Sequence, residues 1–240
     1  MRGNRPQSDL SVDLNRLSSS SLAEMAAAIR ILVACRHDLT VAGRTIADEV
    51  AGGAPDDFTH YPPGDVYDAE THSQYYFHLH RIGDYGHFHT FLRAGGMPAG
   101  VIPDDRYYGL GQSEREPVSH LIAIALDRRG EPGELFTTNR WVTAETWYKA
   151  DDVIAMLPRF RIGHDHPTST ANRWVEAVMT VFRPQIVALL AARDRCIEQH
   201  PPTATGNSVL ESRSLEVTSR LVVDIDDQIA RIEHALASRV

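Results

Sequence analysis

Four of the chain's twelve histidines fall between residues 78 and 89, as two His-x-His pairs, His78-x-His80 and His87-x-His89, on either side of a Gly-bearing break. Neutral imidazole is the commonest protein ligand for zinc, copper and non-haem iron, so this density points first to a metal centre. On a β-strand, side chains at i and i+2 share a face. Each pair therefore presents two rings to one side. A hairpin turning through 81–86, where Gly83 and Gly86 are free to take positive φ, brings the pairs together. The spacing predicts His80 opposite His87 and His78 opposite His89, and a slip of one residue would send the pairs to opposite faces. His120, at the start of the next expected strand, is a fifth candidate ligand.

Other side chains near this hairpin carry candidate roles. Tyr76 has the parity of His78 and is a candidate catalytic proton donor. A strand expected over Leu135–Val142 carries Asn139, Arg140 and Trp141 as candidate substrate-binding groups, with Arg140 suited to gripping a carboxylate through its planar fork and also a catalytic candidate. The competing reading makes Trp141 and Trp147 core anchors and pairs Arg140 with Glu145. His60 and His72 read as surface-loop residues. His164-Asp165-His166 has the same His-x-His spacing but reads as a solvated loop before a helix. There is no Gly-rich phosphate loop, nucleophile elbow or HExxH helix, which removes nucleotide-dependent and serine-hydrolase chemistry from consideration.

The hairpin resembles the metal-binding strands of β-rich zinc carbonic anhydrases, where a His-x-His and a later histidine converge from adjacent antiparallel strands. It also resembles part of the first cupin motif, since His78-x-His80 is followed four residues on by Asp84. The cupin motif has Glu there and Gly where Phe91 stands, and no second cupin motif follows. Either likeness covers about a tenth of the chain and carries no function over.

Composition sets the frame. With 42% hydrophobic and 23% charged residues among 240, the chain is expected to fold as a single globular domain. A net charge of −8 without a Lys/Arg block lacks the footprint of a nucleic-acid binder. No run approaches the ~18 apolar residues of a membrane span, and Cys35 and Cys196 form no CxxC, so a cytoplasmic protein with a small-molecule substrate is expected.

The elements that must position the histidines follow from periodicity. Residues 1–19 are expected to be disordered, and 20–53 to be helical, from a Ser20 or Ser21 cap through a second helix over Val41–Val50 to a stop at Gly52-Gly53. Ala54–Thr71 reads as loop or short edge piece. Strands are expected over Ser73–His80, His87–Arg93, His120–Leu126 and Leu135–Val142, with a long loop over Ala94–Ser119. Residues 151–237 are expected to be helical, with Pro184 kinking or dividing the helix over Ala171–Gln199 and a final helix striped by Leu221, Ile225, Ile229, Ile232 and Leu236. The sum is α+β: an antiparallel sheet of about four strands within 73–142, helices from both ends on one face, and the histidines on the other.

Three functions fit this pattern. The leading one is a metal-dependent enzyme with a mononuclear site of iron, copper or zinc, performing oxygen or redox chemistry on a small molecule, or hydration and hydrolysis with zinc as second choice. The others are a non-enzymatic haem- or metal-binding protein, and an interaction protein with a pH-sensitive histidine face.

Overall fold

The sheet is an antiparallel meander of six strands, each hydrogen-bonded to the next in sequence: β1 (Tyr61–Tyr67), β2 (Ser73–His78), β3 (His87–Arg93), β4 (Val118–Leu126), β5 (Pro132–Thr138) and β6 (Val217–Val222). The computed structural model describes residues 10–80, 85–108, 116–201 and 208–239. The helices are α1 (Ser19–Ala42), α2 (Ile46–Ala51), α3 (Asp105–Tyr108), α4 (Arg140–Thr143), α5 (Ala150–Met156), α6 (Ser169–Val181), α7 (Arg183–Gln199) and α8 (Ile225–Ala237). The α+β class is as expected.

One face of the sheet forms the core. Tyr75, Phe77, Phe88, Leu92, Ile122, Ile124 and Leu135 are all fully buried on it. Each large apolar side chain moved there from water contributes about 1.5–3 kcal/mol. Against them packs α6, which sets Trp174 against Phe88 at 5.4 Å between ring centroids, and α6 is covered in turn by α1, whose Leu22, Met25, Ile29, Leu32 and Leu39 recur at helical spacing. Tyr75 reaches through this layer to donate its hydroxyl hydrogen to Asn172 Oδ1 at 2.6 Å. Helix α1 stops where Gly43 turns left-handed at φ 63° and its N–H caps the Leu39 and Thr40 carbonyls.

Several boundaries differ from expectation, each for a local reason. The first helix is capped by Ser18 Oγ on the Ser21 N–H, not by Ser20 or Ser21. The second begins at Ile46, because a Thr45/Asp48 capping box fixes its start, and Gly52 ends it as read. Residues 1–9 lie outside the described residues, but the rest of the expected disordered lead is ordered. Leu14 is buried, within a short 3-10 turn over Leu14–Arg16. The 54–71 stretch contains a full edge strand, β1, which pairs with β2 through a bulge between Tyr61 and Val66. Pro184 stands at the start of α7, after a 71° bend between α6 and α7 at Phe182. Residues 217–222 form β6 rather than the start of the last helix, so Leu221 leaves the helical stripe and pairs with Leu135. Among the described residues no single helix is long and apolar enough to cross a membrane.

A buried carboxylate ties the sheet to the segment before α6. Asp68, in the turn between β1 and β2, accepts the Glu70 and Thr71 N–H groups at 2.9 and 2.8 Å on one oxygen and the Gly163 N–H on the other. Burial opposes its charge, yet these backbone donors outweigh burial and hold its pKa below the ordinary carboxylate value. A depressed carboxylate stabilises the fold above its unfolded pKa of about 3.9 and loses that contribution as pH falls through the folded value. Asp68→Asn is expected to cost about 1–3 kcal/mol in urea unfolding at pH 7, and the gap to wild type is expected to narrow below about pH 4.

Candidate metal centre

The opposite face of the sheet carries the histidines. Strand β2 pairs with β3 so that His78 lies opposite His87, Phe77 opposite Phe88, and Tyr76 opposite His89. The register is shifted by two residues from the expected one. An even shift preserves parity, so His78, His87 and His89 still share one face. His80 lies just beyond the end of β2, exposed, its ring 4.6 Å from His78 and 5.0 Å from His87 between centroids. The chain reversal expected over 81–86 falls largely outside the described residues.

Three Nε2 atoms meet at the floor of this face. His87 Nε2 stands 2.7 Å from His78 Nε2 and 3.1 Å from His89 Nε2, and all three lie within 4.8 Å of one another. An imidazole nitrogen has a single in-plane site, filled by a proton or by a lone pair. Contacts this short leave room for one shared proton among the three nitrogens, not for three. A cation in the proton's place satisfies all three lone pairs. Ligand nitrogens about 2.0–2.1 Å from a metal stand roughly 2.9–3.4 Å apart at angles from 90° to tetrahedral, close to the two spacings seen here.

His120 sits behind this set rather than in it. His89 Nδ1 is 3.0 Å from His120 Nε2, so a lone pair on His89 Nε2 places the His89 proton on Nδ1, directed at His120. The His120 ring in turn bonds to the Ile122 backbone, and the His120 backbone N–H donates to Glu145 Oε2 at 2.7 Å. A bulge makes this possible. Thr90 pairs with Ile122 but Phe91 with His120, which leaves Leu121 as the extra residue and turns His120 onto the histidine face, opposite Ile122.

Burial governs the charge states. His87 and His120 are both held down to a pKa of about 3, and His89 well below the ordinary imidazole value, first by desolvation and then by neighbouring cationic groups. The rings are therefore neutral donors at physiological pH. Burial likewise raises Glu145 to about 7, and nearby Arg193 only partly offsets it.

The triad opens into a cavity of about 680 Å³, a size suited to a small-molecule ligand. Ala125, beside His87 on β4, has only a methyl group and leaves room for it. Tyr76, Phe91 and Phe136 wall it with aromatic faces. His60, read as a surface histidine, belongs to this wall: its ring stacks on Tyr76 at 4.0 Å with an interplanar angle of 9°. Tyr76 lines the cavity as expected, and burial, reinforced by Asp65 and Glu145, keeps its phenol protonated well above neutral pH.

The structure does not bring Asn139, Arg140 and Trp141 to the cavity. Strand β5 ends at Thr138, because Asn139 caps α4 and the chain turns away. Asn139 Nδ2 donates to the Val209 carbonyl, Trp141 Nε1 donates to Leu215 O at 2.8 Å, and Arg140 pairs with Glu211, not Glu145. Together they bind the turn after β5 to the segment that leads into β6. His72 meets the Tyr67 hydroxyl and His164 the Tyr67 carbonyl, both outside the cavity lining. Sequence reading missed the cavity residues Gln74, Glu134, Glu216 and Arg220. The β-branched Val217, Thr218 and Val222 were the available signal for β6.

Fold and site define an α+β protein with a histidine-walled cavity on an antiparallel sheet. The chain belongs to the family described as a domain of unknown function, DUF6969, whose model matches residues 25–223 and so includes every histidine of the cluster. No curated protein and no solved structure matched the chain.

A buried neutral histidine takes up a proton on unfolding once pH falls below about 6.5, so stability is lost on acidification from there toward the folded pKa. With chelator present, wild type is expected to lose stability from pH 6.5 downward. In His120→Phe the slope is expected to be shallower by up to about 1.4 kcal/mol per pH unit, as measured by urea unfolding at pH 7, 6 and 5.

Proposed function

We propose that this protein is a metal-dependent enzyme with a mononuclear centre held by His78, His87 and His89, acting on a small molecule bound in the cavity above them. The convergence of three Nε2 atoms at the floor of that cavity carries the reading. Three neutral nitrogens on one side of an ion leave coordination positions facing the cavity, where a storage site would close them with further protein ligands. Iron or copper there would supply oxygen or redox chemistry; zinc would supply an activated water for hydration or hydrolysis. The aromatic enclosure favours the redox form.

The chain's own groups have distinct tasks in this scheme. His120 fixes the His89 tautomer and ring orientation from behind, and His80 and His60 stand at the rim. Tyr76, a protonated phenol beside His89, is placed to donate a hydrogen bond or proton to bound substrate. A partner of nucleic-acid type is disfavoured by the net charge of −8, and the free thiols of Cys35 and Cys196 fit a reducing compartment such as the cytoplasm.

Elemental analysis with an absorption spectrum on freshly purified, untagged protein tests the centre. Wild type is expected to carry about one equivalent of iron, copper or zinc, and the His78→Ala/His89→Ala double variant less than about a tenth of that. Equal metal in both proteins, or none in either, would remove the proposal.

A further inference from the structure

The wall facing the triad is acidic, and its charges do not cancel. Among the described residues, Asp65, Glu116, Glu134 and Glu216 line the cavity against only Arg93 and Arg220. Both guanidiniums are ion-paired: Arg93 donates to Gln74 at 2.7 Å and pairs with Glu116 at 3.4 Å, and Arg220 pairs with Glu134, while its buried Nε has no hydrogen-bond partner among the described residues. Asp65 accepts from Gln74 at 2.8 Å and faces His60 at 3.6 Å. Glu216 is left, exposed at the start of β6, with no side-chain partner among the described residues.

A second, independent feature lies beside it. Thr138 is 2% exposed, lines the same cavity, and its hydroxyl has no hydrogen-bond partner among the described residues. A buried hydroxyl without a partner loses its hydration uncompensated, so such a group is retained most readily where a ligand completes it. Thr138 pairs with Val217, the residue next to Glu216, across the β5–β6 ladder. One carboxylate and one hydroxyl, both able to accept, thus stand together at the end of the cavity away from the histidines.

We infer that the cavity takes a substrate tipped by an amine, its ammonium group held by Glu216 and Thr138 and its apolar body lying over Phe136 toward the triad. The chemistry of the wall selects the class. A carboxylate at that end would meet Glu216 and Glu134, and the cationic side chains among the described lining residues, Arg93 and Arg220, already pair their charge with Glu116 and Glu134. An ammonium brings N–H donors and positive charge to the unpaired carboxylate, and aromatic faces such as Phe136 and Phe91 attract cations further. Two to three strand spacings, roughly 10–14 Å, separate this end from the triad's strands, which keeps the ammonium clear of a bound metal cation. This assignment of substrate class builds on the proposed metal enzyme, but the amine anchor itself needs no metal.

Three probes with the same ring separate the alternatives: benzylamine, benzyl alcohol and benzoate, titrated into the purified protein and followed by NMR shifts at neutral pH. Benzylamine is expected to bind wild type at least tenfold more tightly than benzyl alcohol, with benzoate weakest. Glu216→Gln is expected to lose tenfold or more for benzylamine and Thr138→Val at least threefold. Glu216→Lys is expected to reverse the order in favour of benzoate. Glu216 is exposed and Val is nearly isosteric with Thr, so native amide spectra are expected for all three variants. The His89→Ala variant, which impairs the triad, is expected to bind benzylamine as wild type does. That arm separates the two readings: benzylamine binding that depends on Glu216 in a metal-free protein upholds the anchor while the metal enzyme fails. Benzoate binding wild type as tightly as benzylamine, or Glu216→Gln binding benzylamine unchanged, would overturn the inference whatever the metal content.

Discussion

A displacement of one residue between β2 and β3 would dismantle the centre, because the side-chain period of a strand is two and every imidazole would change sides. The pairing of Phe77 with Phe88 guards against it: both rings are fully buried, 4.9 Å apart between centroids, on the face packed against the helices. Slipping the register would expose them and push neutral imidazoles into an apolar layer that offers them no partners. The same hydrophobic pairing that builds the core therefore sets the spacing of the donors.

The histidine face is assembled against the usual economy of a sheet. Imidazoles that close, and that deeply buried, would repel one another if protonated, and the surroundings keep His87, His89 and His120 neutral instead. Order is imposed from behind and from the side. His120 addresses the outer nitrogen of His89, Glu145 holds the His120 backbone, and Tyr76 with Phe91 packs along the rings. Such surroundings fix ring orientation before anything binds, which is what a preorganised centre requires.

The class of fold and the hairpin were legible because their signals are local. The two His-x-His pairs, the Phe and Tyr residues that flank and interleave them and the helical stripe of α1 each occupy a single short window. What the sequence hid depends on distant pairing. The two-residue offset of the hairpin is an even shift, which side-chain alternation along β2 and β3 does not distinguish from the expected register. The bulge at Leu121 overrides simple alternation, so no count of residues along β4 places His120 on the side where it lies. Arg140 looked like a strand residue beside the site, yet the Asn139 cap turns it away, and its partner Glu211 is 71 residues further on. Strand β6 was absorbed into a helix because Leu221 happens to fall in step with Ile225 and Ile229, although its β-branched Val217, Thr218 and Val222 favour a strand.

The donor triad comes from residues 78–89, whereas the wall facing it is completed by β6, more than a hundred residues later in the chain. During synthesis from the N-terminus the three imidazoles leave the ribosome long before Val217–Val222 does. Until that last strand adds to β5, the floor of the future cavity has no far side. The order of the elements along the chain thus leaves the histidine face open on one side until the C-terminal strand encloses it.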